Sequence, residues 1–308
     1  MSSTRTISLP APAKLNLTLG ILGRRPDGFH ELVSWVVKLD WGDTVTVSDS
    51  DELQLEMKGD STGVPADATN LVFLAANKLR NAAGHRGGAR IVLEKRIPPG
   101  GGLGGGSSDA ATALACLNDL WNLNWTIERL AALGSEIGSD IALFFHGSSV
   151  IIRGRGERVE PGPAMKKMWA AVIIPPFGVA TAAVYQRHAA RRDGHTTEVP
   201  PSQSSVALSE VNGAMDAHEV ASALFNDLEY AAFDCEPRLG ALHARLDGLG
   251  GCHVRMTGSG SCLFGLFDTL AEAEAWREAA LNRVSGGVRI QIAATVASPR
   301  VDAGDGIG

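Results

Sequence analysis

A glycine-rich segment constrains this chain more than any other stretch of its sequence. It reads Pro98, Pro99, Gly100, Gly101, Gly102, Leu103, Gly104, Gly105, Gly106, Ser107, Ser108 and Asp109. Prolines end regular structure, whereas glycines permit positive φ and leave room for a ligand beside the backbone. Serine and aspartate cap helices, and the apolar residues that follow recur at helical spacing. The segment therefore predicts a loop that opens a helix capped at residues 107–109. The free N–H groups and positive dipole end of such a helix suit a phosphate group.

Two familiar phosphate loops and a flexible linker are alternatives for this segment. A Walker A loop requires lysine after its last glycine, but Ser107 stands there. A dinucleotide-binding loop is followed about 20 residues later by an acidic residue at the end of a strand. That residue would be Asp119, which lies inside the helical pattern. A linker is disfavoured because a proline pair and an amphipathic helix flank the glycines. The segment is thus interpreted as a phosphate loop of another kind.

Composition limits the class of protein. A length of 308 residues suggests two domains. The formal net charge of -6 and the isoelectric point near 5.8 argue against a nucleic-acid partner. The four cysteines have no C-x-x-C spacing, so neither a zinc site nor a disulfide framework is indicated. No apolar run is long enough for a membrane span, and the first residues do not resemble a secretion signal. These features predict a cytoplasmic protein without a membrane partner.

The first strand carries candidate site residues. Residues 7–21 are predicted to form a strand, because from Leu15 to Ile21 leucine or isoleucine alternates with Asn16, Thr18 and Gly20. Lys14, Asn16 and Thr18 then share the face opposite the leucines. On alternation alone, that face is either a solvated edge or the wall of a site.

The remaining pattern alternates strands and helices. Strands are predicted at residues 32–39, 44–47, 53–57, 91–93, 150–152, 170–174, 253–256, 262–267 and 288–294, and helices at 70–79, 126–133, 182–192, 217–229, 238–246 and 271–280. Asn70 is the predicted cap of its helix. The polar stretch 191–205 is interpreted as a disordered insertion and residues 297–308 as a frayed tail. The second half suits a ferredoxin-like α+β layer.

Two further residues have both a structural and a functional interpretation. His30 follows a turn at Asp27-Gly28 and is either a surface residue or part of a site. Asp140 precedes an apolar segment, where it is either a helix cap or, beside a phosphate site, a general base.

Three blocks in this order resemble the GHMP kinases, a family of small-molecule kinases: Pro12-Ala13-Lys14-Leu15-Asn16, residues 98–108 and Met256-Thr257-Gly258-Ser259-Gly260. Three more blocks resemble one member of that family, whose acceptor carries a cytidine group: Asp27-Gly28-Phe29-His30, Gly138-Ser139-Asp140 and Asn226-Asp227-Leu228-Glu229. The resemblance covers about residues 7–295. The resemblance implies an α+β fold with two domains, at residues 1–160 and 161–296, and an active site between them. The N-terminal domain would resemble ribosomal protein S5 domain 2, and the C-terminal domain would be ferredoxin-like. ATP and Mg²⁺ would serve as co-substrate and cofactor, in a monomer or homodimer.

The resemblance also assigns roles to particular residues. Lys14 and Asp140 would be the catalytic pair, and Ser108 would bind the metal. ATP would be bound by residues 98–108 together with Asn70 and Lys95. The acceptor, a small molecule that carries a cytidine group, would be bound by Asn16, Phe29, His30 and Tyr185. Phe29 stands where the family commonly has tyrosine, so one hydroxyl contact is absent while the ring is kept.

Two alternatives stay open at this point. One is a GHMP kinase with another acceptor, such as homoserine or mevalonate; the block around Phe29 and His30 argues against it. The other is a sensor on the same fold that binds a sugar or nucleotide without catalysis. Retention of both Lys14 and Asp140 argues against a sensor, because a protein that only binds needs no base.

Overall fold

The computed structural model describes residues 5–193 and 214–296. The predicted tail lies outside these residues, as does most of the predicted insertion at 191–205. The strands are β1 Thr6–Asn16, β2 Thr18–Arg24, β3 His30–Ser50, β4 Leu53–Gly59, β5 Gly88–Lys95, β6 Ser149–Gly154, β7 Arg158–Pro161, β8 Trp169–Ile174, β9 Phe225–Asn226, β10 Arg255–Met256, β11 Leu263–Phe267 and β12 Arg289–Ala294. The α-helices are α1 Leu71–Ala83, α2 Gly105–Leu120, α3 Ile127–Ser135, α4 Thr181–Asp193, α5 Ala217–Ala223, α6 Glu229–Cys235, α7 Pro237–Asp247 and α8 Leu270–Leu281. A 3₁₀ helix spans Ala142–Phe145.

Strand β3 organises the larger, eight-stranded sheet. It is 21 residues long and pairs antiparallel with β1, β2, β5 and β6. The sequence predicted two separate strands here, at 32–39 and 44–47. They form one strand because each half of β3 has partners on both edges. The predicted strand 7–21 is instead divided at Leu17, where the pairing register with β3 changes between β1 and β2.

The smaller sheet has four antiparallel strands in the order β10-β11-β8-β12. One hydrophobic core joins the two sheets: Leu15 and Trp35 of the first pack in the same cluster as Val172 and Phe264 of the second. This shared core fixes the orientation of the two halves and thereby the shape of the cleft between them. The predicted boundary at residue 160 stays a prediction.

The predicted helix 217–229 was wrong. The chain forms α5, then the short strand β9, then α6. Strand β9 pairs in parallel with β2 of the other half of the chain, and the Asn226 side chain donates to the carbonyls of Met256 and Gly258, both at 2.8 Å. These long-range hydrogen bonds outweigh the local helical preference.

Helix α2 begins earlier than predicted. Its N-cap is Gly104, with φ of 72°, so Ser107, Ser108 and Asp109 lie inside the helix rather than at its cap. Other caps were predicted correctly: the Asn70 side chain accepts the N–H of Val72 at the start of α1, 2.9 Å away. No helix in the described ranges is long and apolar enough to cross a bilayer.

Candidate active site

The glycine loop lies between the end of β1 and the turn that joins β10 to β11. The backbone N–H of Lys14 donates to the Leu103 carbonyl at 2.9 Å, and that of Cys262 donates to the Gly101 carbonyl at 3.1 Å. Gly102 has φ of +76°, and a Cβ there would stand 2.1 Å from the Thr257 carbonyl oxygen. Because no side chain fits at this contact, glycine is required where the two halves of the chain meet.

Two cavities flank the loop. The acceptor cavity, as we call it, has a volume of about 910 Å³ and the nucleotide cavity one of about 520 Å³. Gly100, Gly102 and Gly104 line both of them, so the loop forms the wall between the cavities. A phosphate held by the loop can therefore be reached from either side.

The predicted site residues divide between these cavities. The acceptor cavity is lined by Lys14, Asn16, Phe29, His30, Asp140 and Tyr185. The nucleotide cavity is lined by Asn70, Lys95 and residues 98–107. Ser108 is fully buried in α2 and lines neither. Apart from Ser108, the residues assigned to each ligand thus lie together, on opposite sides of one loop.

Lys14 is buried at the junction of the two cavities. Its ammonium donates to the Asn16 side-chain oxygen and to the Gly102 carbonyl, the latter at 2.7 Å. Burial lowers the pKa of Lys14, and the negative charge of Asp140 opposes that shift. The polar face of the first strand is accordingly the wall of a site rather than a solvated edge.

Asp140 lies in a turn just before the 3₁₀ helix. Ile141 caps that helix, so the interpretation of Asp140 as a helix cap was wrong. Gly156, in the turn after β6, lies beside it: a Cβ at Gly156 would be 3.1 Å from Asp140 Oδ1. Burial, followed by the charge of Asp140, raises the pKa of Tyr185 to about 12. The negative charge of Asp140 therefore acts on both the lysine and the tyrosine of the acceptor cavity.

The aromatic residues of the acceptor cavity form two separate contacts. The rings of His30 and Tyr185 lie 5.0 Å apart at an interplanar angle of 33°. Phe29 is 52% exposed, and the Arg155 guanidinium lies 4.8 Å from its ring centroid. Arg155 and Arg24, which were not predicted as site residues, also line this cavity. Arg24 ends β2 and Arg155 lies in the turn between β6 and β7, where no local pattern indicated a role.

Lys95 lies at the edge of the nucleotide cavity but is 4% exposed. Its ammonium contacts the carboxylates of Asp43 and Asp109, the latter at 2.7 Å. Asp43 also accepts the backbone N–H groups of Arg96 and Ile97, at 2.5 and 2.8 Å. Lys95 is thus held inside the protein by two carboxylates, and its contact with ATP stays a prediction.

Two buried oxygen atoms next to the loop are unsatisfied. Ser108 Oγ and Asp109 Oδ1 have no hydrogen-bond partner in the described part of the chain. A hydroxyl oxygen of this kind suits a hard cation such as Mg²⁺, which takes oxygen ligands. Among the residues described, no group of three His, Cys, Asp or Glu side chains could hold a metal ion by itself.

Gly104→Val is expected to weaken ATP binding at least tenfold. A valine at φ of +72° is strained, and its Cβ would lie 2.9 Å from Lys14 Cγ and 3.1 Å from Phe144 Cζ. Calorimetric titration with ATP measures the effect. Gly286→Val is the matched control, because Gly286 also has a positive φ, of +76°, and a Cβ there meets nothing within 4 Å. Unchanged ATP affinity in a folded Gly104→Val variant would show that the loop does not hold the phosphates.

Comparison with known proteins agrees with this geometry. Residues 70–148 match the family described as GHMP kinases N terminal domain, and residues 207–285 match GHMP kinases C terminal. A 4-diphosphocytidyl-2-C-methyl-D-erythritol kinase of Pseudomonas syringae pv. syringae is 44% identical over 199 residues, which are 65% of this chain and 70% of the relative. The enzyme of the same name from Pseudomonas paraeruginosa is 44% identical over 193 residues, covering 63% and 68%.

Solved structures of GHMP-type kinases are similar to this chain over nearly its whole length. A crystal structure of 4-(cytidine 5'-diphospho)-2C-methyl-D-erythritol kinase superposes with a TM-score of 0.73 at 34% identity, covering 94% of this chain and 99% of that one. Homoserine kinase from Cytophaga hutchinsonii has a TM-score of 0.70 at 20% identity, covering 97% and 96%, and shares the fold.

The two-domain α+β fold and the site on its glycine loop thus define a kinase of the GHMP class, and the predicted fold class is confirmed. With a relative 44% identical over 70% of its length, this chain belongs to the 4-diphosphocytidyl-2-C-methyl-D-erythritol kinase family within the GHMP kinases.

Proposed function

We propose that this protein transfers the γ-phosphoryl group of ATP to the 2-hydroxyl of 4-diphosphocytidyl-2-C-methyl-D-erythritol, in the non-mevalonate (methylerythritol phosphate) pathway to isoprenoid precursors. The observation that carries the proposal is the placement of Lys14 and Asp140 in one cavity with an aromatic cluster, next to a phosphate loop. The names of the similar enzymes and of the superposed structure support this acceptor.

ATP would occupy the nucleotide cavity, with its phosphates on the glycine loop. The N-terminus of α2 begins at Gly105, so its unpaired N–H groups and the positive end of its dipole face the loop. Phosphoryl transfer depends mainly on positioning and on stabilising charge, with little covalent work for the protein. The transferred group would cross from the nucleotide cavity to the acceptor cavity at Gly102 and Gly104, which line both.

Asp140 and Lys14 would handle the proton and the charge. Asp140 would accept the proton of the attacking hydroxyl as a general base. Lys14, which is buried and lines the same cavity, would stabilise the attacking oxygen. Burial lowers the pKa of Lys14, but the charge of Asp140 favours the protonated amine. Asp140 therefore helps to keep Lys14 charged inside the cavity.

Ser108 is the residue that would hold Mg²⁺, since its hydroxyl oxygen has no partner within the described ranges. The ion would neutralise negative charge on the phosphates. The remaining charge would be met by this chain's own cations, Lys14 together with Arg24 and Arg155 of the acceptor cavity. Asp140 is the only acidic residue in the described lining of that cavity, which favours an anionic acceptor such as a nucleoside diphosphate.

The cytidine group is expected to be recognised by stacking together with one edge contact. Phe29→Ala should weaken the binding of CDP and UDP alike, by about 5- to 150-fold (~1–3 kcal/mol), because stacking does not distinguish bases. His30→Ala should weaken CDP more than UDP, because a neutral imidazole offers both a donor and an acceptor. Calorimetry with the two nucleotides measures both effects.

Tyr230→Ala is the control for these variants, since Tyr230 is a 70% exposed aromatic residue that does not line the acceptor cavity. If His30→Ala kept the full preference for CDP, base selection would have to come from another group.

An ADP-release assay with three acceptors tests the function itself. We expect turnover with 4-diphosphocytidyl-2-C-methyl-D-erythritol and none with homoserine or mevalonate. Turnover of homoserine or mevalonate alone would identify a different GHMP kinase. Binding of the cytidine compound and ATP without ADP release would identify a sensor. We place the enzyme in the cytoplasm, where its four free cysteines would stay reduced.

A further inference from the structure

A closed ring of hydrogen bonds surrounds the Lys14 ammonium. Lys14 Nζ donates to Asn16 Oδ1 and, at 2.7 Å, to the Gly102 carbonyl. Thr257 Oγ1 lies 3.2 Å from the same carbonyl and accepts the backbone N–H of Asn16 at 3.0 Å. The ring therefore passes through β1, the glycine loop and the turn after β10. We propose that Thr257 is a positioning residue that sets the direction of the Lys14 ammonium; this rests on the proposed function.

The hydroxyl of Thr257 has a defined orientation in this ring. It carries one hydrogen, which it can donate either to the Gly102 carbonyl at 3.2 Å or to Asn16 Oδ1 at 3.5 Å. The shorter distance favours the carbonyl. Thr257 is 0% exposed and does not line the acceptor cavity, so water cannot take the place of its hydroxyl. A side chain without a hydroxyl at position 257 would leave the Asn16 N–H unsatisfied and open the ring.

Asn16 transmits the position of Thr257 to the lysine. Its backbone N–H is bound by Thr257, and its side-chain Nδ2 donates to Ser34 Oγ at 2.7 Å. These two bonds leave Asn16 Oδ1 directed at Lys14. A shift of Asn16 would therefore move one of the two acceptors that hold the ammonium.

The turn that carries Thr257 is itself anchored by the Asn226–Glu229 block. The Asn226 side chain donates to the carbonyls of Met256 and Gly258 on either side of Thr257, both at 2.8 Å. Glu229 Oε1 accepts the N–H of Met256 at 2.9 Å. These bonds fix the backbone of the turn. Asn226 and Glu229 therefore have a structural role in this protein. The C-terminal half thus holds Thr257 rigidly against a lysine in the N-terminal half.

Thr257→Val tests the proposal, since valine has nearly the same shape as threonine but has no hydroxyl. We expect kcat to fall about tenfold or more while the KM values for ATP and acceptor change less, because Lys14 acts as charge develops in the transition state. Thr257→Ser, which keeps the hydroxyl, should restore most of kcat. Thr295→Val is the matched control: Thr295 is also buried, and its hydroxyl accepts the N–H of Met168 at 3.0 Å, away from the site.

Amide hydrogen exchange gives a second readout that requires no activity. In Thr257→Val, the Asn16 N–H should exchange faster because its acceptor is gone. The neighbouring N–H groups of Lys14 and Leu17 should stay protected, since they donate to the carbonyls of Leu103 and Trp35, at 2.9 and 2.8 Å. Exchange resolved by residue with NMR distinguishes the local effect from general loosening.

Several results would overturn the proposal. They are an unchanged kcat in a folded Thr257→Val variant, an equal loss of kcat in Thr295→Val, failure of Thr257→Ser to restore kcat, and unchanged exchange at Asn16. Failure of the proposed function gives a different result: the wild-type protein itself would then turn over none of the cytidine acceptor. Exchange at Asn16 would still decide whether Thr257 holds the ring.

Discussion

Asp140→Asn is expected to lower kcat by about 10²–10⁴-fold, the usual contribution of a positioned general base. Asparagine has nearly the shape of aspartate but cannot accept the proton of the attacking hydroxyl. ATP affinity should be unchanged, because Asp140 lines the acceptor cavity and not the nucleotide cavity. Steady-state ADP release gives kcat, and calorimetry gives the affinity for ATP.

Asp119→Asn serves as the control for this variant. It removes a largely exposed carboxylate that pairs with Arg5 on the surface at 2.8 Å. Asp119 lines neither cavity. The kcat of Asp119→Asn should equal that of the wild type. If Asp140→Asn retained more than about a tenth of wild-type kcat, the proton would be leaving by another route, and Asp140 would only be a wall of the cavity.

The sequence predicted the parts of the site that depend on local rules. Strand alternation placed Lys14 and Asn16 on one face, and the structure puts both in the acceptor cavity. Glycines between prolines and a helical pattern predicted a loop before a helix, and α2 follows that loop. In each case, neighbours in sequence determine the geometry.

Features that depend on distant contacts were not predictable in this way. The helix at 217–229 had an acceptable local pattern, yet the buried Asn226 side chain donates to carbonyls 30 and 32 residues away. The cap of α2 was misplaced because Asp109, a good capping residue by type, instead pairs inside the protein with Lys95. No local rule indicates either partner.

The role of Thr257 was also not predictable from the sequence. It lies in a block that the sequence analysis singled out, but its role arises from a contact with Asn16, 241 residues earlier in the chain. Periodicity and spacing say which residue types are present and which face they occupy. They do not say which two segments meet across the cleft, which depends on how the shared core orients the sheets.

Lys95→Met is expected to lower the free energy of unfolding by about 3–5 kcal/mol, the usual cost of removing one partner from a buried ion pair. The change leaves two carboxyl groups inside the protein: Asp43 keeps its bonds to two backbone N–H groups, whereas Asp109 loses the hydrogen bond from Lys95. Denaturant unfolding measures the loss. Lys58→Met, which breaks a surface contact with Glu56 at 3.5 Å, should cost at most about 1 kcal/mol.

The stability of Lys95→Met should also be partly restored by Asp109→Asn, because an amide carries no charge that must be buried. The pH dependence of wild-type stability is expected to test the same assignment. Burial raises the pKa of Asp109, with Lys95 opposing the shift and Asp43 adding to it. The folded protein therefore holds a proton that the unfolded chain releases above about pH 4, so stability falls as pH rises from there through the raised pKa. Asp109→Asn should flatten this slope between pH 5 and 8. Two results together would contradict this assignment. The wild type and Asp109→Asn would show the same slope of stability against pH, and Lys95→Met would lose no more free energy of unfolding than Lys58→Met. Lys95 would then not hold the two carboxyl groups. Lys95 would then be available to ATP.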